Sequence, residues 1–192
     1  MSKDQDSRDS VSAGRRSFLR QFGAATLGLA AVRAVSAATD ARRELSFVHT
    51  HTGEQLTATY FESGVYVGPV LQQVNQLLRD FRTETVFPID PAVLDRLFQL
   101  QVAAASREPF AVISGFRSPL TNAALRSRSS GVAEHSLHMQ GRAIDVRLPG
   151  TPTDHLAVLA QRLSGGGVGY YRVSDFVHID TGRVRSWGDA LG

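Results

Sequence analysis

Apolar and polar positions change their rhythm along this chain, and each rhythm points to an element. In "ELSFVHTHTGEQLTATYF" the pattern repeats every second residue: Leu45, Phe47 and His49 share one face, and so do Leu56, Ala58 and Tyr60. With a turn at Thr52-Gly53, this predicts two short strands. In "GPVLQQVNQLLRDF" the period lengthens, and Val70, Leu71, Val74, Leu77, Leu78 and Phe81 fall on one helical stripe. A second helix is predicted in "IDPAVLDRLFQLQVAAA", with Asp90 as N-cap, Pro91 at its first position and Val93, Leu94, Leu97 and Phe98 as its apolar face. "FAVISGF" reads as a buried strand. "SPLTNAALRSRS" reads as a short helix capped by Ser118 and ending by Gly131. "RAIDVRL" is a strand, "TPTDHLAVLAQRL" a helix, and "VGYY" and "DFVHID" two more strands. Helices gather in the first half and strands around the histidines in the second. The expected fold class is α+β, with a mostly antiparallel sheet and helices packed on it.

A length of 192 residues with 42% hydrophobic content is enough for one domain with a real core. The N-terminus stands apart from it. "RRSFLRQFGAATLGLAAVRAVSAA" opens on Arg15-Arg16, runs through a weakly apolar stretch from Phe22 to Val32 and ends in small residues around Ala37. This layout resembles a twin-arginine signal peptide, and the apolar run is too short and too rich in Gly and Ala to span a bilayer. Residues 1–37 are expected to be a leader, and residues 38–192 one exported domain of the periplasm or cell envelope. The leader also explains the charge. Its Lys3, Arg8, Arg15, Arg16, Arg20 and Arg33 against Asp4, Asp6 and Asp9 account for the whole net +3. The remaining domain is balanced, which gives no case for nucleic-acid binding. There are no cysteines. Disulfides are therefore excluded, and any metal site must use His, Asp or Glu, the donors of catalytic rather than structural zinc.

The candidate chemistry sits in "HSLHMQGRAIDV". Strand alternation in "RAIDVRL" puts Ile144, Val146 and Leu148 on one face and Ala143, Asp145 and Arg147 on the other. In "FVHID", Phe176, His178 and Asp180 share a face. If these two strands are neighbours, Asp145 and His178 converge. Gly141 permits a sharp turn that folds His138 back over them. Two histidines and one aspartate with a coordination position left open suit catalytic zinc. Spacing alone leaves a second reading open: hydrogen-bonded core histidines, with Asp145 capping a turn or paired with an arginine. An aspartate among Ile, Val and Leu is costly to bury unless paired or metal-bound. The Gly165–Gly167 run lacks a phosphate-loop lysine, and the chain beyond the leader has no lysine at all.

"SLHMQGRAID" fits the Ser-x-His-x-x-Gly-x-Ala-x-Asp motif of the zinc D-Ala-D-Ala peptidases, which share a fold with lysostaphin-type peptidases and the hedgehog signalling domain. A second motif, an acidic residue three positions before a final histidine, matches "DFVHID" through Asp175 and His178. The likeness runs from Leu45 to Trp187 and is closest to the exported murein endopeptidase-like branch. It implies that His138, Asp145 and His178 ligate Zn2+. It also implies that Asp175 is the general base, taking a proton from the attacking water and delivering it to the leaving amine. Arg117 in "SGFRSP" matches the family arginine that binds a substrate carboxylate or steadies the oxyanion.

Two alternatives accompany these assignments. Strict alternation puts Asp175 opposite His178, so a bend near Ser174-Asp175 is required; Asp180 has the right parity to replace it, or to orient His178 instead. Arg117 can also be satisfied by a surface acid. His135 lacks the motif spacing and reads as a flanking residue near substrate. His49, His51 and His155 read as structural or solvent-facing. Tyr170, Tyr171 and Trp187 either line a groove or fill the core. The resulting expectation is a monomeric zinc endopeptidase acting on peptidoglycan stem peptides or their cross-links. A D-amino-acid carboxypeptidase and a non-catalytic cell-wall binding module of the same fold are the rivals.

Overall fold

The computed structural model describes residues 42–189 apart from residue 130; the expected leader lies outside the described residues. Eight strands form one sheet: β1 (Arg42–His49), β2 (Gln55–Glu62), β3 (Val65–Tyr66), β4 (Phe110–Ser114), β5 (Ala143–Arg147), β6 (Gly167–Tyr171), β7 (Phe176–Asp180) and β8 (Arg185–Gly188). Their order across the sheet is β3-β2-β1-β4-β5-β7-β6-β8. Only β1–β4 and β6–β8 pair in parallel; the other pairings are antiparallel. The helices are α1 (Gly68–Leu77), α2 (Pro91–Ala103), α3 (Pro119–Arg126) and α4 (Thr153–Arg162). The α+β class and the mostly antiparallel sheet are as the sequence indicated.

One face of the sheet is buried. Phe47, Tyr60, Phe110, Ile144 and Ile179 join Leu78, Leu94, Leu97 and Leu156 in a single apolar cluster. Truncating a side chain such as Leu97 there costs about 2–5 kcal/mol, because the transfer energy and the cavity left behind add. The expected caps are present. Asp90 accepts the Ala92 N–H at 3.0 Å, and Ser118 accepts the Thr121 N–H at 3.2 Å. Three differences have local causes. Helix α1 stops at Leu77, and Phe81 leaves the core to stack under His51 with ring centroids 4.4 Å apart. Helix α3 ends at Arg126, before the serine-rich run. Strands β3 and β8 were not visible in the sequence: one has two residues, and the other, "RSWG", carries no apolar alternation.

Gly141 sets the fold around the opening motif. It sits at φ +65°, and an added Cβ would lie 2.1 Å from the Pro88 carbonyl oxygen. Its own carbonyl accepts the Asp90 N–H at 2.9 Å, locking the motif to the start of α2. Gly141→Ala is expected to cost about 1–3 kcal/mol through left-handed strain and this clash, read as a lowered urea midpoint.

Candidate metal centre

The sheet face opposite the core carries the polar chemistry, in rows set by the strand register. Asp145 pairs with His178, His178 with Gly169, and Gly169 with Trp187. One row to one side runs Ala143, Asp180, Gly167 and Arg185; on the other side, Tyr171 pairs with Phe176. Alternation does the sorting, since Ile144, Val168, Val177 and Ile179 point into the core. The glycine at 169 is a space requirement: a Cβ there would meet the Trp187 ring at 2.8 Å. The indole therefore lies on the sheet beside His178, ring centroids 5.1 Å apart.

His138 arrives from outside the sheet, on a single tight turn over Leu137–Gln140 capped by Ser136. Its Nδ1 lies 2.7 Å from the Gly115 carbonyl oxygen. A carbonyl only accepts, so Nδ1 carries the hydrogen and Nε2 presents a lone pair. That Nε2 stands 3.2 Å from Asp145 Oδ1 and 3.1 Å from His178 Nδ1, and His178 Nδ1 is 2.8 Å from Asp145 Oδ1. On its far side, His178 Nε2 lies 3.2 Å from Asp180 Oδ2. The Asp180 carboxylate holds the hydrogen there and turns the Nδ1 lone pair inward. With His178 in that tautomer, three buried acceptor atoms face one another, an arrangement that a cation between them satisfies. Ligands on a tetrahedral zinc with bonds of about 2.0–2.1 Å stand about 3.3 Å apart, close to the observed separations. The donor set fits a metal, and His138, Asp145 and His178 are the group of described residues placed to hold one.

The electrostatics agree. Burial works to raise Asp145, yet the two histidines overcome it and hold its carboxyl well below the ordinary range. Burial lowers His138 and keeps it neutral, the form a ligand needs. Burial also works to lower His178, but hydrogen bonds to Asp145 and Asp180 outweigh it and the net shift is upward. Without a metal, a proton on His178 is the cation those two carboxylates attract.

Asp180 is fully committed. It is wholly buried and accepts from Arg185 Nη2 at 2.7 Å, from Gly167 N–H at 3.0 Å and from Gly182 N–H at 2.8 Å, besides His178. Arg96 of α2 donates to its main-chain carbonyl. Such a carboxylate orients a histidine. Asp180→Asn is expected to weaken metal affinity about 10–100-fold with the fold retained, measured by competition with a chromogenic chelator.

Asp175 precedes β7 at φ +52°, so the bend that alternation required is present. It directs the carboxylate to Arg147, Oδ2 to Nε 3.2 Å, and to the Thr153 hydroxyl at 2.7 Å. These contacts hold Asp175 at the end of the sheet, away from the three ligand atoms. Its side chain is 61% exposed and does not line the cavity, although Ser174 and Phe176 do. Arg117 faces the site rather than a surface acid: its Nη2 lies 3.6 Å from Asp145 Oδ2, and its buried Nε makes no hydrogen bond. Burial pulls its pKa down while Asp145 opposes that pull. Asp80 accepts the neighbouring Ser118 N–H at 2.8 Å, and Arg117 N–H donates to the His138 carbonyl at 3.2 Å, so the arginine is fixed to the ligand turn.

Arg117, His138, Asp145 and His178 share one cavity of about 600 Å3. Exposed His135 lines its rim without reaching the ligand atoms, and Tyr171 and Trp187 form its aromatic wall, while Tyr170 belongs to the core. His155 is exposed; His49 is buried at the end of β1, on the core face. The sequence reading missed the Asp180–Arg185 lock. Its only trace in the sequence is the pair of glycines, Gly167 and Gly169, two positions apart in "GVGYY".

A buried two-histidine, one-aspartate cluster, open to a cleft on an α+β scaffold, is a donor set that metallopeptidases use. The chain is a peptidase of the family described as peptidoglycan L,D-endopeptidase MepK, whose profile matches residues 36–187. It is 39% identical over 183 residues to the peptidoglycan L,D-endopeptidase MepK of Escherichia coli (strain K12), covering 93% of this chain and all of that relative. The probable peptidoglycan L,D-endopeptidase MepK of Haemophilus influenzae is 39% identical over 146 residues, 76% of this chain and 78% of the relative. No helix among the described residues is long and apolar enough to cross a membrane.

Proposed function

We propose that this chain is a zinc-dependent endopeptidase of the cell envelope that hydrolyses amide bonds in peptidoglycan cross-links. The observation that carries the reading is the convergence of His138 Nε2, Asp145 Oδ1 and His178 Nδ1 on the wall of a cavity of about 600 Å3. Both relatives bear the name of a peptidoglycan L,D-endopeptidase, which supports the substrate class and an internal amide as the target. Residues 1–37 serve as the twin-arginine leader, and the exported domain works as a monomer.

His138, Asp145 and His178 would hold a zinc ion, which would supply Lewis acidity toward the scissile carbonyl and a water made nucleophilic near neutral pH. The remaining roles belong to side chains. Asp175 takes the proton of the attacking water and returns it to the leaving amine, after its exposed carboxylate swings from Arg147 and Thr153 toward the cleft. Arg117, charged and with donor capacity unused, binds a carboxylate of the stem peptide and sets the amide over the ligands.

The test is a digest of cross-linked muropeptides by chelator-treated protein, with and without added zinc, read by product mass. Splitting of dimers only after zinc addition is expected. Loss of one terminal residue would make the protein a carboxypeptidase. Intact dimers with a folded, zinc-loaded protein would leave a binding module.

A further inference from the structure

The aromatic wall of the cleft contains a hydrogen-bond donor with no task in the mechanism so far. Tyr171 ends β6 on the same face as Gly169, in the row beside His178. Its ring stacks on Phe176 with centroids 4.6 Å apart, which fixes the plane of the phenol. Trp187 Nε1 donates to the Tyr171 hydroxyl at 2.9 Å. An indole N–H only donates, so this bond occupies a lone pair of the phenol oxygen and leaves its hydrogen free. Among the described residues that hydrogen has no acceptor: the bond from Trp187 is the one hydrogen bond the hydroxyl makes. Trp187 itself is held from both sides. Gly169 leaves the room beneath it, and the Arg185 guanidinium lies over its ring, 4.6 Å from the centroid. The phenol is thus pinned at ring and oxygen, with its donor unspent, in the cavity that also holds Arg117 and the three ligands.

We propose that Tyr171 is a catalytic donor, its hydroxyl aimed by Trp187 at the carbonyl oxygen of the scissile amide, where negative charge develops during hydrolysis. The assignment rests on the peptidase reading above. A preorganised donor at that oxygen lowers the barrier without reorganisation, since the Phe176 stack and the Trp187 bond have already oriented it. No proton is transferred; the hydrogen bond to the oxygen strengthens as charge grows. Trp187 acts through Tyr171 and is a positioning residue.

Tyr171→Phe keeps the stacked ring and deletes the donor. With zinc content unchanged, kcat on cross-linked muropeptides is expected to fall about 100-fold, with KM within twofold. Trp187→Phe is expected to lower kcat less, and the double variant to be no slower than Tyr171→Phe alone, because the tryptophan has nothing left to aim. Tyr171→Phe with near wild-type kcat, or additive losses in the double variant, would overturn the proposal.

A second readout does not depend on turnover. Trp187 is the single tryptophan of the chain, so intrinsic emission reports this wall alone. Titration with a phosphinate isostere of an L,D-dipeptide, which carries tetrahedral oxygens, is expected to change that emission and to show affinity about 10–100-fold weaker in Tyr171→Phe. Equal affinity in the two proteins would also overturn it. Failure of the wild type to cut any muropeptide would instead strike the peptidase reading, and the phosphinate comparison would still decide the role of the hydroxyl.

Discussion

His138→Ala is expected to abolish metal binding and cleavage together, whereas His135→Ala is expected to bind metal as the wild type does. The contrast comes from geometry that the two residues do not share. His138 is buried, its Nδ1–H is taken by the Gly115 carbonyl, and its Nε2 completes the triangle with Asp145 and His178. Deleting it leaves two ligands and a cavity. The loss should exceed the roughly 10–100-fold that removal of an orienting partner costs. His135 stands exposed at the rim and touches none of the ligand atoms. Isothermal titration with zinc on both variants checks this, and unaltered zinc affinity in His138→Ala would sink the ligand assignment.

Asp175→Ala is expected to separate chemistry from metal binding. The residue makes no contact with the three ligands; its carboxylate rests on Arg147 and Thr153. Zinc content should therefore match the wild type while kcat falls about 100- to 10,000-fold, the range associated with a lost general base. Asp180 gives the opposite pattern, since it is wholly buried and spent on His178, Arg185 and two main-chain amides. Its removal should act through metal affinity. Full turnover in Asp175→Ala would return the base to another group.

Much of this site was legible in the sequence because it depends on local rules. Alternation along β5 and β7 separated Asp145 and His178 from their apolar neighbours, and Gly141 marked the turn that brings His138 over them. The caps at Asp90 and Ser118 were equally local. What stayed hidden depends on partners distant along the chain. The parallel pairing of β6 with β8 brings Trp187 over Gly169 and Arg185 onto Asp180, and "RSWG" has no periodicity that announces a strand. Alternation also fails where the backbone leaves the β region. The left-handed φ of Asp175, just before β7, takes it out of the strand alternation, so parity does not fix where its side chain points. Arg117 was ambiguous because its choice between a surface acid and the cleft is settled by the Asp80 and His138 contacts around it.

The account stands most directly on where the metal sits. Crystals of the zinc-loaded protein, measured on both sides of the zinc absorption edge, should show one strong anomalous peak. It is expected within bonding distance of His138 Nε2, Asp145 Oδ1 and His178 Nδ1, on the cleft side that Arg117 and Tyr171 border. No peak there, or a peak held by other residues in a protein that still cuts cross-linked muropeptides, would contradict it.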